Sequence, residues 1–222
     1  MQRLFDTFGN GPVLLAHGPA ILRGLWVTVQ VAASTVLLGV GLGFVLGLLR
    51  CLRWRMLDLL IVIWIDLFRS LPQLVVIIVA YFALPYAGLT LSPFQATVLA
   101  LGCVLSAFAA EIVWAAVQAV PAGQWDAACS LGLRPVRTLR SVIVPQAVRL
   151  ATPLLTNRAI AVAKGTALGA AIALPELLSD AQSATAIAAN PSPLTLAGAL
   201  YVMLFLPLVV VSRWLERRGA RA

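Results

Sequence analysis

The sequence predicts an all-α integral membrane protein with about five transmembrane helices, organised as a single transmembrane domain over residues 1–222. Apolar residues make up 61% of the chain, charged residues make up only 11%, and the mean hydropathy is +0.98. A soluble domain has too little interior to cover so much apolar surface. The chain also contains no polar stretch long enough to form a separate soluble domain.

Five apolar segments are long enough to cross a bilayer, which takes about 20 helical residues. They lie near residues 22–49, 58–84, 95–119, 151–178 and 194–213. The fourth segment is interrupted by Pro153, Arg158, Lys164, Pro175 and Glu176. We therefore expect it to be bent, tilted or partly outside the hydrocarbon core.

The arginines predict how the chain is oriented. With the N-terminus outside, the inner loops carry Arg50, Arg53, Arg55, Arg134, Arg137, Arg140, Arg149, Arg213, Arg217, Arg218 and Arg221. The outer side then has only Arg3 and Arg23. Because basic residues concentrate in cytoplasmic loops, this asymmetry favours five spans with the C-terminus inside.

Composition also narrows the function classes. The net charge of +8 is explained by topology-setting arginines, so we do not expect a nucleic-acid partner. The three cysteines have no metal-ligand spacing and His17 is the single histidine, so we expect neither a metal site nor a cofactor bound to this chain. The sequence contains no recognisable catalytic motif, which argues against an intramembrane enzyme. A second hypothesis is an autonomous channel or ion-coupled carrier, and solute flux through the protein without any partner would favour it.

The first apolar segment has small residues at intervals of four, namely Thr35, Gly39, Gly43 and Gly47. These positions share one helix face, where small side chains allow close helix contact in lipid. We expect tight packing inside the bundle, with a seam between two copies as the alternative.

Polar residues within the apolar segments are candidates for function. In the second segment Asp66, Arg69 and Gln73 follow helical spacing, and Pro72 predicts a kink. This face would contact protein or a wet cavity. The alternative is an Asp66–Arg69 ion pair that only fastens the bundle.

Two further ionisable residues fall inside apolar segments. Glu111 lies in the third segment, with Gln118 on the same face, and Lys164 lies in the fourth, with Asn157 on the same face. Both charge signs would suit a zwitterionic solute. Structural pairing, or a lysine that extends to the membrane boundary, are the alternatives.

The segment 121–150 between the third and fourth apolar runs is polar and punctuated by proline and glycine. A short helix is predicted from Gln124 to Leu131, with Asp126 in its first turn and Gly132 as its stop. Pro135 can begin a second helix.

In that second helix Val136, Leu139 and Ile143 form an apolar stripe, and we expect Pro145 to turn the chain into the fourth span. An ordinary amphipathic connector lying on lipid headgroups is the alternative interpretation.

Several motifs in order along the chain resemble a known family. Residues 24–30 read GLWVTVQ, 68–72 read FRSLP, 109–112 read AAEI, 120–128 read VPAGQWDAA, 144–149 read VPQAVR, 164–168 read KGTAL, 175–177 read PEL, and 215–218 read LERR. Together with the pattern Asp-Ala-Ala, three residues, Gly, nine residues, Val-x-Val-Pro, they resemble ATP-binding-cassette (ABC) importer permeases of the polar amino acid type (histidine, glutamate, glutamine or arginine).

The resemblance implies a type I ABC importer transmembrane domain with a cytoplasmic coupling helix, in a bacterial cytoplasmic membrane. It implies a non-catalytic permease that forms a homo- or heterodimer with a second permease subunit. Its other partners would be an ATPase dimer that binds ATP and Mg²⁺, and a periplasmic or lipid-anchored solute-binding protein that delivers an amino acid.

The same resemblance assigns candidate residues. The residues expected to couple the permease to the ATPase lie in the segment 121–150, which we call the coupling loop. They are Gly123, Asp126, Ala127, Ala128 and Gly132. The substrate path falls to Arg69, Glu111, Trp114 and Lys164.

The sequence departs from the family pattern at several of these positions. Trp114 stands where the family usually has arginine, and Gly165 and Ala167 replace the usual aspartate and serine. In the loop, Asp126 replaces glutamate and Cys129 replaces a common arginine. We expect a substrate that is less charged, larger or more aromatic than arginine or glutamate, or else a subunit that is the non-binding half of a heterodimer.

Overall fold

The computed structural model describes residues 6–52 and 54–219, and within these ranges the chain is helical with no β-strand. Arg3, Arg53 and Arg221, which contribute to the orientation argument, lie outside the described residues. The main helices, in chain order, are α1 (Gly11–Arg50), α2 (Arg55–Ser70), α3 (Gln73–Phe82), α4 (Pro93–Gln118), α5 (Ala122–Ser130), α6 (Pro135–Thr138), α7 (Val144–Ala163), α8 (Leu177–Ala188) and α9 (Ser192–Gly219). Shorter helical turns cover Leu84–Ala87, Leu139–Ile143 and Lys164–Ile172.

Length and composition make α1, α4 and α9 long and apolar enough to cross a membrane. Two bent pairs meet the same requirement jointly, α2 with α3 and the run Pro135–Ile172 with α8, so the described chain has three to five candidate spans. The predicted all-α membrane fold is confirmed. The number of spans and their orientation remain predictions.

Helix α4 is the centre of the bundle, with 72% of its most apolar stretch buried. It begins at a capping box, in which the Ser92 hydroxyl accepts from the Gln95 backbone N–H and the Gln95 side chain accepts from the Ser92 N–H. This reciprocal pair satisfies two of the N–H groups that a helix start leaves free.

Helix α1 packs along α4 through its small residues. A Cβ atom added to Gly43 would lie 2.4 Å from Cβ of Ala109 and 2.6 Å from the Ser106 carbonyl oxygen. Gly39 and Gly47 approach α4 in the same way. The prediction of tight packing inside the bundle is confirmed, since glycine is what permits this backbone separation.

The predicted kink at Pro72 is a full break, because α2 and α3 meet at 105°. Leu71 adopts an extended conformation (φ −87°, ψ 136°), as expected for a residue that precedes proline. The prediction that Asp66, Arg69 and Gln73 share one helix face is therefore wrong, since Gln73 begins a helix with a different axis.

The prediction that Pro145 turns the chain is also wrong. Helix continues from Pro135 to Ile172, and Pro145 lies within it at the start of α7. A wide π-turn over Leu139–Ile143 precedes it. We attribute this turn to the proline ring, which would otherwise clash with the carbonyl of residue i−4. The bend comes later, at 47° before α8, consistent with the expected irregular fourth segment.

One fully buried carboxylate, Glu176, fastens three helices together. Its Oε2 accepts from the Tyr201 hydroxyl of α9 at 2.9 Å and lies 3.3 Å from the Thr28 hydroxyl of α1. Its Oε1 accepts from the Ser179 backbone N–H at 2.8 Å and so caps α8. Thr28 in turn accepts from the Leu177 N–H at 3.1 Å. The network satisfies the carboxylate locally, as a buried charge requires.

We expect Glu176→Ala to lower the free energy of unfolding by about 3 kcal/mol, because several buried partners lose their acceptor at about 1–3 kcal/mol for each unsatisfied group. Thermal unfolding in detergent measures the loss. Glu216→Ala, at an exposed position of α9, is the matched control and should leave the unfolding temperature unchanged. Equal effects of the two substitutions would contradict a structural role for the Glu176 network.

Candidate functional site

The structure brings two of the four predicted path residues together. Arg69 near the end of α2 forms an ion pair with Glu111 of α4, and the two side chains stay 38% and 41% exposed. No ion pair joins Asp66 to Arg69 in the described part of the chain, so the alternative pairing considered above is not the one that forms. Ionisable side chains within apolar helices are candidates for function, so this partly exposed pair is the centre of the candidate site.

Arg158 of α7 belongs to the same cluster, although the sequence did not single it out as a site residue. Its Cζ lies 3.2 Å from the ring centroid of Phe108, and Cζ of Arg69 lies 5.3 Å from the same ring. Arg158 Nε is buried and makes no hydrogen bond. In the sequence, Arg158 stands out only as a charged residue within an apolar segment, which did not distinguish it as a site residue.

We call Arg69, Phe108, Glu111 and Arg158 the charged cluster. It contains two guanidinium groups and one carboxylate, so it carries a net charge of about +1 on ordinary protonation. The aromatic ring between the arginines offers each a cation–π contact. Arg158 has no carboxylate partner among the described residues, which leaves it free to bind an anionic group.

Lys164 lies apart from the charged cluster's contacts. Its ammonium is 5.8 Å from the ring centroid of Phe205, and it borders a cavity of about 430 Å³ with Ala167 and Tyr201. The cavity is otherwise apolar and opens along α9. Lys164 forms no ion pair within residues 6–52 and 54–219.

Trp114 occupies a third location, one helical turn beyond Glu111. Its ring lies 4.1 Å from Cζ of Arg50, whose Nε donates to Asp58 Oδ1 at 2.9 Å. The indole therefore packs on a salt bridge between the end of α1 and the start of α2. The structure does not bring Trp114 into contact with the charged cluster.

The glycine at position 165 has a local explanation. A Cβ atom there would lie 2.4 Å from Oε1 of Gln73, so the Gln73 side chain occupies the space that a side chain at 165 would need. The loss of the usual aspartate is thus matched by an amide from α3. Ala167, the other departure in this segment, lines the Lys164 cavity.

The coupling loop folds as a helix, a tight turn and a second helix. Helix α5 ends in a Schellman motif, in which Leu133 N–H donates to the Ala128 carbonyl at 3.2 Å and Gly132 N–H donates to the Cys129 carbonyl at 2.9 Å. Gly132 has a φ of +76°, a conformation that glycine adopts without strain. The predicted stop at Gly132 and start at Pro135 are both found.

Contacts at the base hold this loop against the bundle. Trp125 packs on a buried cluster that includes Val117, Ile143 and Ala147. Gln146 of α7 donates to the Gln124 side chain at 3.2 Å and to the Val142 carbonyl at 2.9 Å. These contacts join α5 to both α4 and α7.

The predicted coupling residues do not all face outward. Gly123, Asp126, Ala127 and Gly132 are exposed, whereas Ala128 is only 3% exposed and packs inside the loop. Sequence reasoning missed an apolar patch at the tip, where Leu131 is 82% and Val136 is 68% exposed. Of the predicted apolar stripe, Leu139 and Ile143 pack in the interior, whereas Val136 is exposed. A large apolar side chain at the tip of a polar loop is typical of a surface that another protein covers.

Comparison with known proteins gives the fold a family. A probable glutamine ABC transporter permease protein of Bacillus subtilis (strain 168), GlnP, is 35% identical over 206 residues, which cover 91% of this chain and 94% of the relative. An arginine transport system permease protein of the same organism, ArtQ, is 30% identical over 202 residues, covering 90% and 92%. A solved structure described as an amino acid ABC transporter with histidines superimposes with a TM-score of 0.84 at 30% identity, covering 92% of this chain and 96% of the solved one.

A family model matches most of the sequence as well. It spans residues 39–221 and describes an inner membrane component of binding-protein-dependent transport systems. Components of this kind act with an ATPase and with a solute-binding protein. Matched over this length, and with relatives of 30% identity or more along nine-tenths of it, the chain belongs to the family of binding-protein-dependent transport system inner membrane components, the permease subunits of ABC importers.

Proposed function

We propose that the chain forms half of an amino-acid path through a bacterial cytoplasmic membrane, and that a separate ATPase dimer drives it by pressing on the coupling loop. The observation that carries this proposal is the geometry of the coupling loop. Helix α5 ends at a tight turn at Gly132, the loop packs against the bundle at its base, and Leu131 is exposed at its tip. The similarity to permeases named for glutamine and arginine supports an amino acid as the class of solute.

Coupling needs a stiff contact and two states that the ATPase distinguishes. The exposed face of α5 (Gly123, Asp126 and Ala127) and the tip at Gly132 form the proposed docking surface. Ala128 supports that surface from inside. ATP and Mg²⁺ bind to the ATPase subunits in this scheme, and the permease contributes motion without chemistry.

The charged cluster offers a partner for each charged end of an amino acid. The α-carboxylate of the solute would bind Arg158, which lacks an anionic partner, while Glu111 offers a carboxylate near the ammonium. The Phe108 ring, in contact with Arg69 and Arg158, gives the site an apolar wall. Lys164 and Trp114 line the proposed path at separate levels.

The departures from the family pattern favour a substrate that is less charged, larger or more aromatic than arginine or glutamate. The large, mainly apolar cavity beside Lys164 and Ala167 supports this preference. Competition of unlabelled amino acids against uptake is the measurement. A strict preference for arginine would contradict it, and a solute site found only in a partner permease would assign this subunit the non-binding role.

The proposed function is tested by reconstituting the permease with its partners in vesicles and measuring uptake of labelled amino acids. We expect uptake only with the ATPase subunits, ATP and Mg²⁺ together. Flux through the permease without an ATPase would instead favour an autonomous channel or carrier. Hydrolysis that continues with no ATPase subunit present would contradict the non-catalytic assignment.

We expect Glu111→Gln to reduce uptake about tenfold or more while the ATPase still binds, because Arg69 and Arg158 would then lie in the path without a carboxylate. Uptake and ATP hydrolysis are measured on the same vesicles. Asp66→Asn removes a charge from α2 without breaking an ion pair and is the matched control. Wild-type uptake in Glu111→Gln would place the charged cluster outside the path.

A further inference from the structure

A small cavity that is bordered by charged and polar residues lies where α1 ends and α2 begins, away from the charged cluster. It has a volume of about 240 Å³ and is lined by Arg50, Cys51, Arg55, Asp58, Trp114 and Gln118. Both helices leave the apolar region at this point, so the cavity lies at the membrane boundary whichever way the chain is oriented.

The two arginines of this cavity are in different states. Arg50 is held between Asp58 and the Trp114 ring, and its side chain is only 17% exposed. Arg55 is exposed and forms no ion pair with any residue that the structure describes. One carboxylate therefore offsets two guanidinium groups, and the cavity keeps about one positive charge at its rim.

An apolar groove continues from the cavity along the outer face of α2. Arg55 and Asp58 border both spaces, and the groove is lined further by Met56, Leu59 and Val62. Met56 is 80% and Leu59 is 55% exposed. A cationic pocket joined to an apolar groove has the shape and polarity of a molecule with an anionic head and a hydrocarbon tail.

We infer that this cavity and groove bind one anionic phospholipid, with its phosphate on Arg55 and Arg50 and an acyl chain along Met56, Leu59 and Val62. Trp114 supports the assignment, since a partly exposed indole at the end of a span prefers the headgroup level. Basic pockets between transmembrane helices recognise anionic headgroups by charge. The inference stands on the pocket alone and does not depend on which solute the importer carries.

The site would also give Trp114 a role in addition to its place on the proposed substrate path. The ring packs on the Arg50 guanidinium, and both residues line the pocket. Replacement of the family's usual arginine by tryptophan exchanges a charge for a surface that orients a neighbouring charge.

The test uses the full-length chain purified with its partner subunits in mild detergent. Native mass spectrometry follows the titration of phosphatidylglycerol, phosphatidylcholine and soluble glycerol 3-phosphate. We expect phosphatidylglycerol to be retained over phosphatidylcholine, and Arg55→Gln to weaken it about fivefold. Leu59→Asn should weaken phosphatidylglycerol as well but leave any binding of glycerol 3-phosphate unchanged.

Arg213→Gln, at an exposed arginine of α9 outside the cavity, is the matched control and should bind phosphatidylglycerol like the wild type. Equal binding by wild type and Arg55→Gln would overturn the inference, as would glycerol 3-phosphate that competes as well as the lipid. A photocrosslinker at position 59 that captures a second permease subunit would also overturn it, because the groove would then be a protein interface. Unfolding temperatures of the variants confirm that each is folded.

Discussion

Gly132→Val should abolish most coupled transport while the protein still inserts into the membrane. The φ of +76° at this position is costly for a β-branched residue, at about 1–3 kcal/mol. The turn would relieve that strain by changing its backbone, which moves Leu131 and the end of α5 on the proposed docking surface. We expect ATP-driven uptake to fall about tenfold or more, which corresponds to a rise of about 1.4 kcal/mol or more in the barrier of the coupled step.

Gly88→Val is a closely matched control. Gly88 also has a positive φ, +82°, and neither glycine has an atom within 4 Å of an added Cβ. The two substitutions therefore introduce similar backbone strain, but Gly88 ends a short turn in the predicted outer loop. Measured side by side as uptake and ATP hydrolysis, only Gly132→Val should uncouple them. Full coupling in that variant would falsify the docking role of the loop.

Gly43→Leu should prevent the bundle from assembling. An added Cβ would come within 3.0 Å of three atoms of α4, two of them in the backbone, and those atoms cannot rotate away. Overpacking of a well-packed interior costs about 1–3 kcal/mol and more where the backbone is the obstacle. We expect a loss of folded protein and a marked fall in unfolding temperature, measured in detergent by size-exclusion chromatography and circular dichroism.

Gly41→Leu separates this clash from the general effect of losing a glycine. Gly41 lies on the exposed face of the same helix and has nothing within 4 Å of an added Cβ. Leucine there should be neutral or slightly stabilising, because it has the higher helix propensity. If both variants fold equally well, α1 and α4 are less tightly packed than the structure shows.

Local rules accounted for much of the fold. Spacing alone placed Gly39, Gly43 and Gly47 on one packed face, and the turn at Gly132 followed from the need for a residue that accepts positive φ. The restriction that Pro72 places on Leu71 was also readable, although it produced a break of 105° and not the kink expected.

Contacts between residues that are distant in the chain could not be predicted from the sequence. Arg69 pairs with Glu111, 42 residues away, and nothing in the local pattern preferred it over Asp66 only three residues away. Glu176 appeared as part of a family motif, yet its burial depends on Thr28 and Tyr201 from two other helices. Arg158 was seen only as an irregularity of the fourth segment. Tertiary packing decides these cases, and a single sequence does not encode it in a form that periodicity reveals.

The continuous helix from Pro135 to Ile172 joins the tip of the coupling loop at Gly132 to the segment around Lys164. Its 38 residues would span about 57 Å at 1.5 Å per residue. One end lies beside Gly132, and the other carries Gly165 against Gln73 and Lys164 at the border of the 430 Å³ cavity. A tilt of about 5° around its midpoint would displace both ends by roughly 2–3 Å in opposite directions. A push delivered at the loop would therefore arrive at the cavity without any intermediate carrier.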